Sequence, residues 1–173
     1  NLVLKRFILA HQILFSMEGI PAVYIQNLVG SKNDLKKLEI TKSFRSVNRK
    51  NWNFDELSKL LKKESINRKV YLALISLVKL RKKQPAFHPN ATQFTLQLEK
   101  NIFGIWRQSI DRSQSIFCIS NLSKLKTSIS LLDINLISTE KWYAILTKKR
   151  IKEIERNITL LPYQSMWITN KKF

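Results

Sequence analysis

The chain has 173 residues, enough for one domain or for two small ones. Its formal net charge is +19, from 31 lysine and arginine residues against 12 aspartate and glutamate residues. A single cysteine, Cys118, excludes an internal disulfide, and no apolar run approaches the ~20 residues that a membrane-spanning helix needs.

The first predicted element is a helix over residues 2–17, where apolar residues recur at the spacing of one helix face. Gly19 is expected to end it in a left-handed conformation, and Pro21 prevents the helix from resuming. His11 lies on or beside the apolar stripe and is interpreted as a packing residue rather than a ligand. Residues 22–25 form a short apolar run, which predicts a strand buried on both faces.

A long polar loop over residues 26–52 follows the predicted strand. In α/β barrels, the active-site residues lie on the loops that follow the C-terminal ends of the buried strands. Asn53 then reads as an N-cap with Glu56 three residues later, as in a capping box. A short helix to about residue 63 and a longer one over residues 66–83 are predicted to follow.

The hydrophobic period changes from 3.6 to 2 near Pro89, which predicts an antiparallel sandwich or barrel. Three tryptophans, Trp106, Trp142 and Trp167, fall in this region and are predicted to pack in its core, with a carbohydrate-binding platform as the alternative. Cys118 is predicted to be a buried, unreactive thiol, which together with the absence of a recognisable signal peptide favours a cytoplasmic protein. Seven strands are predicted, over residues 92–99, 101–110, 115–120, 125–132, 141–147, 157–161 and 164–169.

Several segments resemble one enzyme family. Residues 19–24, Gly-Ile-Pro-Ala-Val-Tyr, resemble the eighth barrel strand of the α-amylase superfamily of glycoside hydrolases. Residues 28–34, 45–49 and 80–90 are similar to the sucrose phosphorylase subfamily, which also holds glucosylglycerate phosphorylase-like enzymes. Ala-Phe-His-Pro-Asn, at the end of the third segment, is closer to the latter, and residues 160–167 look like the last strands of the family's small β domain.

This resemblance implies an α/β plus all-β fold: the C-terminal end of a (β/α)8 TIM barrel followed by a small antiparallel β-sandwich domain. Residues 1–88 would supply the last helices, the strand and the active-face loop of an incomplete catalytic barrel. Residues 89–173 would form the C-terminal β-sandwich domain.

The implied activity is transfer of a glucosyl group from sucrose or a sucrose-like glucoside to inorganic phosphate, with no metal or organic cofactor. Such enzymes use a carboxylate nucleophile and a carboxylic acid/base, as retaining glycosidases do. In the family these groups, and a third acidic residue, lie on earlier barrel strands. None of the 12 acidic residues here is therefore assigned a catalytic role, Asp34 is interpreted as shaping the loop, and the chain alone is expected to be inactive.

The resemblance does assign substrate-binding residues. Arg49 matches an arginine that reaches the far hydroxyls of the glucosyl unit and pairs with an upstream aspartate; a solvated surface arginine is the alternative. Asn48 and Arg45 are candidates for ordering the loop or contacting the acceptor. His88 is interpreted as a residue of the domain junction.

Two other functions stay open at this point. One is a hydrolase or transglucosidase of the same superfamily. The other is a basic nucleic-acid-binding protein, which the net charge would suit. The basic residues are scattered in ones and twos, and no helix-turn-helix, zinc-ligand or stacking-platform signature accompanies them. We therefore expect no nucleic-acid partner and no membrane partner, and the oligomeric state is not predicted.

Overall fold

The computed structural model describes residues 2–134, 141–151 and 157–172. Contacts divide the chain into two compact units, the first formed by Asn1–Pro21 with Leu77–Phe173 and the second by Ala22–Ser76. This division does not coincide with the predicted boundary between residues 88 and 89. The assignment of residues 1–88 to a barrel stays a prediction.

Helix α1, Leu2–Ser16, opens the first unit at the place that the sequence predicts. Gly19 has a φ of +77°, the left-handed conformation expected after a helix end. His11 is buried, and its Nδ1 donates a hydrogen bond to the Phe7 carbonyl at 2.9 Å. The interpretation of His11 as a packing residue is therefore confirmed.

The second unit is helical. Its elements are α2 (Ile25–Leu28), α3 (Leu35–Thr41), α4 (Phe54–Lys62) and α5 (Ile66–Lys82), the last of which continues into the first unit. The Asn53 side chain accepts hydrogen bonds from the backbone N–H groups of Asp55 and Glu56, which confirms the predicted N-cap. No helix in the described ranges combines the length and apolarity that crossing a membrane requires.

The predicted strand at residues 22–25 is wrong. Tyr24 has an extended backbone, with φ −67° and ψ 138°, but residues 22–24 pair with no strand in the described part of the chain, and α2 begins at Ile25. Ala22 and Tyr24 are exposed rather than buried. A strand needs a neighbour for its backbone groups, and every strand paired in the described residues belongs to the β region that begins at Thr92.

The β region is confirmed. All strand pairs in the described ranges are antiparallel, in a sheet of order β1-β2-β3-β8-β5-β6 and a two-stranded sheet β4-β7. The strands are β1 (Thr92–Thr95), β2 (Ile102–Gln108), β3 (Ser115–Asn121), β4 (Thr127–Ser130), β5 (Trp142–Ala144), β6 (Lys149–Ile151), β7 (Asn157–Leu160) and β8 (Ser165–Thr169). Strand β6 was not predicted, because residues 148–150 are all polar and lack the alternation of apolar residues that indicates a strand; its pairing with β5 is evident only in the structure.

Apolar side chains of the two sheets share one core. Ile129 of β4 and Leu160 of β7 belong to the same buried cluster as Phe117 and Trp142 of the larger sheet. Trp142 and Trp167 are buried, so the core-packing prediction is confirmed for both, while half-buried Trp106 packs against the cluster.

Cys118 faces no solvent, and burial raises the pKa of its thiol well above the ordinary range. The thiolate is the reactive form of cysteine, and burial disfavours it. The prediction of a buried, unreactive cysteine is confirmed.

Candidate functional site

An open cavity of about 700 Å³ lies within the second unit. It brings together the three residues that the resemblance assigns to substrate binding, Arg45, Asn48 and Arg49. The full lining is Tyr24, Gln26, Phe44, Arg45, Asn48, Arg49, Lys50 and Asn51. We call this cavity the arginine pocket.

Local hydrogen bonds at the ends of α3 and in the turn after it shape the segment that leads to the arginine pocket. Asp34 is the N-cap of α3, and its Oδ1 accepts a hydrogen bond from the Lys37 N–H at 3.0 Å. Lys42 ends the helix with a φ of 51°, in the left-handed region. A 3-10 turn over Phe44–Ser46 follows, in which buried Ser46 donates its hydroxyl to the Ser43 carbonyl at 2.6 Å. Asp34 therefore shapes the loop, as the sequence predicts.

Three hydrogen bonds hold the backbone at Arg49 and at the next residue, Lys50. Its N–H donates to the Ser46 carbonyl at 3.1 Å, and its own carbonyl accepts from the Lys37 ammonium at 2.7 Å. The next carbonyl, of Lys50, accepts from Gln26 Nε2 at 2.7 Å. The Arg49 side chain, in contrast, is exposed and has no hydrogen bond or ion pair within the described residues. The hydrogen bonds therefore fix the backbone at Arg49 and leave its guanidinium available to a ligand.

The arginine pocket is basic. Arg45, Arg49 and Lys50 line it, and no carboxylate from the described part of the chain does. Lys50 Nζ lies 3.5 Å from Glu56 Oε1 outside the lining, but exposed ion pairs of this kind contribute little. The same ammonium lies 3.8 Å from the centre of the Trp52 ring. The guanidinium forks can donate paired hydrogen bonds to a vicinal diol, a carboxylate or a phosphate.

Sequence reasoning missed five lining residues, Tyr24, Gln26, Phe44, Lys50 and Asn51. Phe44 is 84% exposed and Tyr24 is 47% exposed. Phe44 directly precedes Arg45, so an aromatic residue next to a basic one in a polar loop is the sequence signal that could have identified it, whereas the exposure of Tyr24 is evident only in the structure. Gln26 has no such signal in the sequence, since its hydrogen bonds are to Lys50 and Trp52, more than 20 positions later in the chain.

His88 lies in the first unit and does not line the arginine pocket. It is exposed, and its Nδ1 accepts the Asn90 N–H at 3.1 Å. The described residues contain no group of three or more histidine, cysteine, aspartate or glutamate side chains that could hold a metal ion. The absence of a metal or cofactor requirement stays a prediction.

No family model matches the chain. Among curated relatives, glucosylglycerate phosphorylase of Escherichia coli K12 is 33% identical over 168 residues, covering 94% of this chain and 28% of that protein. The glucosylglycerate phosphorylase of Allomeiothermus silvanus is 33% identical over 169 residues, with 97% and 27% covered. Sucrose 6(F)-phosphate phosphorylase of Thermoanaerobacterium thermosaccharolyticum is 29% identical over 129 residues, with 75% and 25% covered. The chain therefore spans less than a third of the length of these relatives.

Solved structures share the fold at low sequence identity. AmyP in complex with maltose matches with a TM-score of 0.75 at 16% identity, over 98% of this chain and 35% of that one. The α-amylase of Geobacillus thermoleovorans, complexed with acarbose, matches with a TM-score of 0.71 at 15% identity, over 96% and 33%. The fold is therefore one found in α-amylase family enzymes.

Proposed function

Because the chain belongs to the sugar phosphorylases of the α-amylase superfamily, whose C-terminal part it matches, we propose that it helps transfer a glucosyl group from a glucoside to inorganic phosphate. The transfer would be reversible and would retain the anomeric configuration, through a double displacement. One observation carries this proposal: Arg45, Asn48 and Arg49 meet at one pocket, with the Arg49 backbone anchored and its side chain free.

The chain contributes binding rather than bond cleavage. Double displacement needs a carboxylate nucleophile and a carboxylic acid about 5 Å apart. No carboxylate of the described residues lines the arginine pocket, and we propose that these groups come from a part of the enzyme outside these 173 residues. Arg49 would donate hydrogen bonds to the far hydroxyls of the glucosyl unit, and Asn48 and Arg45 would contact the acceptor or order the loop.

We further propose that the donor carries an acidic group, as a glucosylglycerate does. Two relatives at 33% identity are named glucosylglycerate phosphorylases. Three cations line the pocket, and Glu56, which pairs with Lys50, lies outside the lining, so the charge of the described lining residues favours an anionic ligand. Sucrose, the donor expected from the sequence, is the alternative, and relatives named for it also match.

A donor comparison tests the proposal. The enzyme is supplied with glucosylglycerate or sucrose in the presence of phosphate, and glucose 1-phosphate is measured. We expect kcat/KM to be at least about tenfold higher for glucosylglycerate, because a charged hydrogen bond contributes roughly 1.5–3 kcal/mol. Equal or higher kcat/KM for sucrose would contradict the acidic donor. Release of free glucose at a rate independent of phosphate would instead identify a hydrolase.

A further inference from the structure

Trp52 lies half-buried at the end of the loop and takes part in a closed hydrogen-bond network. Its indole Nε1–H donates to Gln26 Oε1 at 3.1 Å and to Ser31 Oγ at 2.8 Å. The Ser31 hydroxyl donates in turn to the same Gln26 oxygen. The network joins the two ends of the loop, since Trp52 and Gln26 are 26 positions apart.

This network fixes the orientation of the Gln26 side-chain amide. Its oxygen accepts two hydrogen bonds, from Trp52 and Ser31, and its nitrogen donates to the Lys50 carbonyl. An amide has distinct donor and acceptor ends, so rotating it by a half-turn would break the contacts with the Trp52 N–H and the Lys50 carbonyl, since an indole N–H only donates and a carbonyl only accepts. The Lys50 carbonyl, one residue after Arg49, is therefore held only while the Gln26 amide keeps this orientation.

We propose that Trp52 is a positioning residue for Arg49. Trp52 does not line the arginine pocket; with Lys50 it lines a separate cavity of about 490 Å³ in the same unit. It acts through Gln26, whose amide nitrogen donates to the carbonyl of Lys50, the residue after Arg49. Since the Arg49 guanidinium has no partner of its own among the described residues, its place in the pocket depends on its backbone. This inference rests on the proposed function only for the identity of the ligand.

Hydrogen exchange of the loop amides tests the structural half of the proposal. Trp52→Phe keeps an aromatic ring beneath Lys50 but removes the indole N–H. We expect exchange at residues 45–51 to become roughly fivefold faster, since one hydrogen bond contributes about 0.5–1.5 kcal/mol. Gln26→Glu keeps the acceptor for Trp52 but cannot donate to the Lys50 carbonyl, so it should loosen the same residues.

Trp106→Phe is the matched control. It makes the same substitution in the first unit, at an indole N–H that has no hydrogen-bond partner within the described residues. Its exchange at residues 45–51 should equal that of the wild type. Unchanged exchange in Trp52→Phe would overturn the proposal, as would an increase that spreads evenly through the second unit.

A double-mutant cycle tests the functional half. We expect Trp52→Phe to lower kcat/KM for the glucosyl donor about tenfold at an unchanged melting temperature, because small misplacements of a binding group are costly. Arg49→Ala should then cost at least threefold less in the Trp52→Phe background than in the wild type. Multiplicative losses would overturn the positioning role. A wild-type enzyme that forms no glucose 1-phosphate would refute the proposed function, while the exchange result would still decide the structural half.

Discussion

The Arg49 guanidinium is the group on which the proposed sugar site depends. Lys37 Nζ donates a hydrogen bond to the Arg49 carbonyl, and Gln26 Nε2 donates one to the carbonyl of the next residue, Lys50, at 2.7 Å in both cases. The side chain itself is exposed and free to bind. Arginine suits this place because its planar fork gives two parallel hydrogen bonds and it stays charged at all working pH values.

Replacing Arg49 should therefore damage binding without damaging the fold. In the intact enzyme, we expect Arg49→Ala to lower kcat/KM for the donor by roughly a hundredfold, from hydrogen bonds of about 1.5–3 kcal/mol each. Arg49→Lys should recover little, because a point charge cannot make the paired contact. Steady-state kinetics on protein with an unchanged melting temperature measure both effects.

Arg150→Ala is the control for this prediction. Arg150 is exposed on β6 in the first unit and is not among the lining residues of the arginine pocket, and its replacement should leave the kinetics unchanged. A loss smaller than threefold for Arg49→Ala would show that the loop has been assigned wrongly. It would favour the alternative of a solvated surface arginine.

At the scale of elements, two buried arginines hold the C-terminal end of α1. Arg107 of β2 donates to the carbonyls of Ser16, His88, Ala91 and Thr92, between 3.0 and 3.4 Å. The last carbonyls of a helix have no partner within it, so such donors stabilise the helix end.

Arg81 of α5 acts on the same segment. It donates to the carbonyls of Phe15, Met17 and Gly19. Burial lowers the pKa of both guanidinium groups, Arg81 and Arg107, yet arginine remains charged near neutral pH. The partners of Arg81 lie more than 60 positions earlier in the chain, so no local pattern in the sequence predicts these contacts.

Replacing the Arg107 guanidinium by a lysine ammonium should lower the stability of the first unit. In Arg107→Lys a single ammonium replaces a fork that serves four carbonyls, and bonds to charged groups contribute roughly 1.5–3 kcal/mol each. We expect the free energy of unfolding in urea to fall by at least about 2 kcal/mol. Arg150→Lys, on an exposed strand, should change it by less than about 0.5 kcal/mol. Equal values for the two variants would contradict this account of the helix end.

The elements that could be predicted are those with local signals. Helix α1 and the Asn53 cap follow from apolar spacing and from a side chain that bonds its own neighbours. The strand at residues 22–25 was predicted wrongly because strand formation depends on a partner, which a run of apolar residues cannot supply. Strand β6 was missed for the converse reason, since its pairing with β5 outweighs its polar composition.

The residues of the candidate site also divide into those that the sequence could identify and those that it could not. Arg45, Asn48 and Arg49 could be found because they stand together in one recognisable motif. Gln26 and Trp52 could not be found in this way, because their hydrogen bonds join residues that are 24 and 26 positions apart. Contacts over such distances produce no local pattern in the sequence.

At the scale of the whole molecule, the chain spans less than a third of its phosphorylase relatives. Both units expose large apolar side chains: Ile20 is 84% exposed in the first, and Phe44 and Phe54 are 84% and 81% exposed in the second. Apolar surface of this kind is typical of regions that another part of a protein covers. We therefore expect the sugar site to be completed by residues outside this chain.

The most direct test of the proposed function is glucose 1-phosphate formation by the intact enzyme and by the 173-residue chain alone, each supplied with donor and phosphate. We predict product only from the intact enzyme, and only when phosphate is present, because none of the residues described along the pocket lining is a carboxylate. Cleavage of the donor by the chain alone, or release of glucose without phosphate by the intact enzyme, would contradict the account.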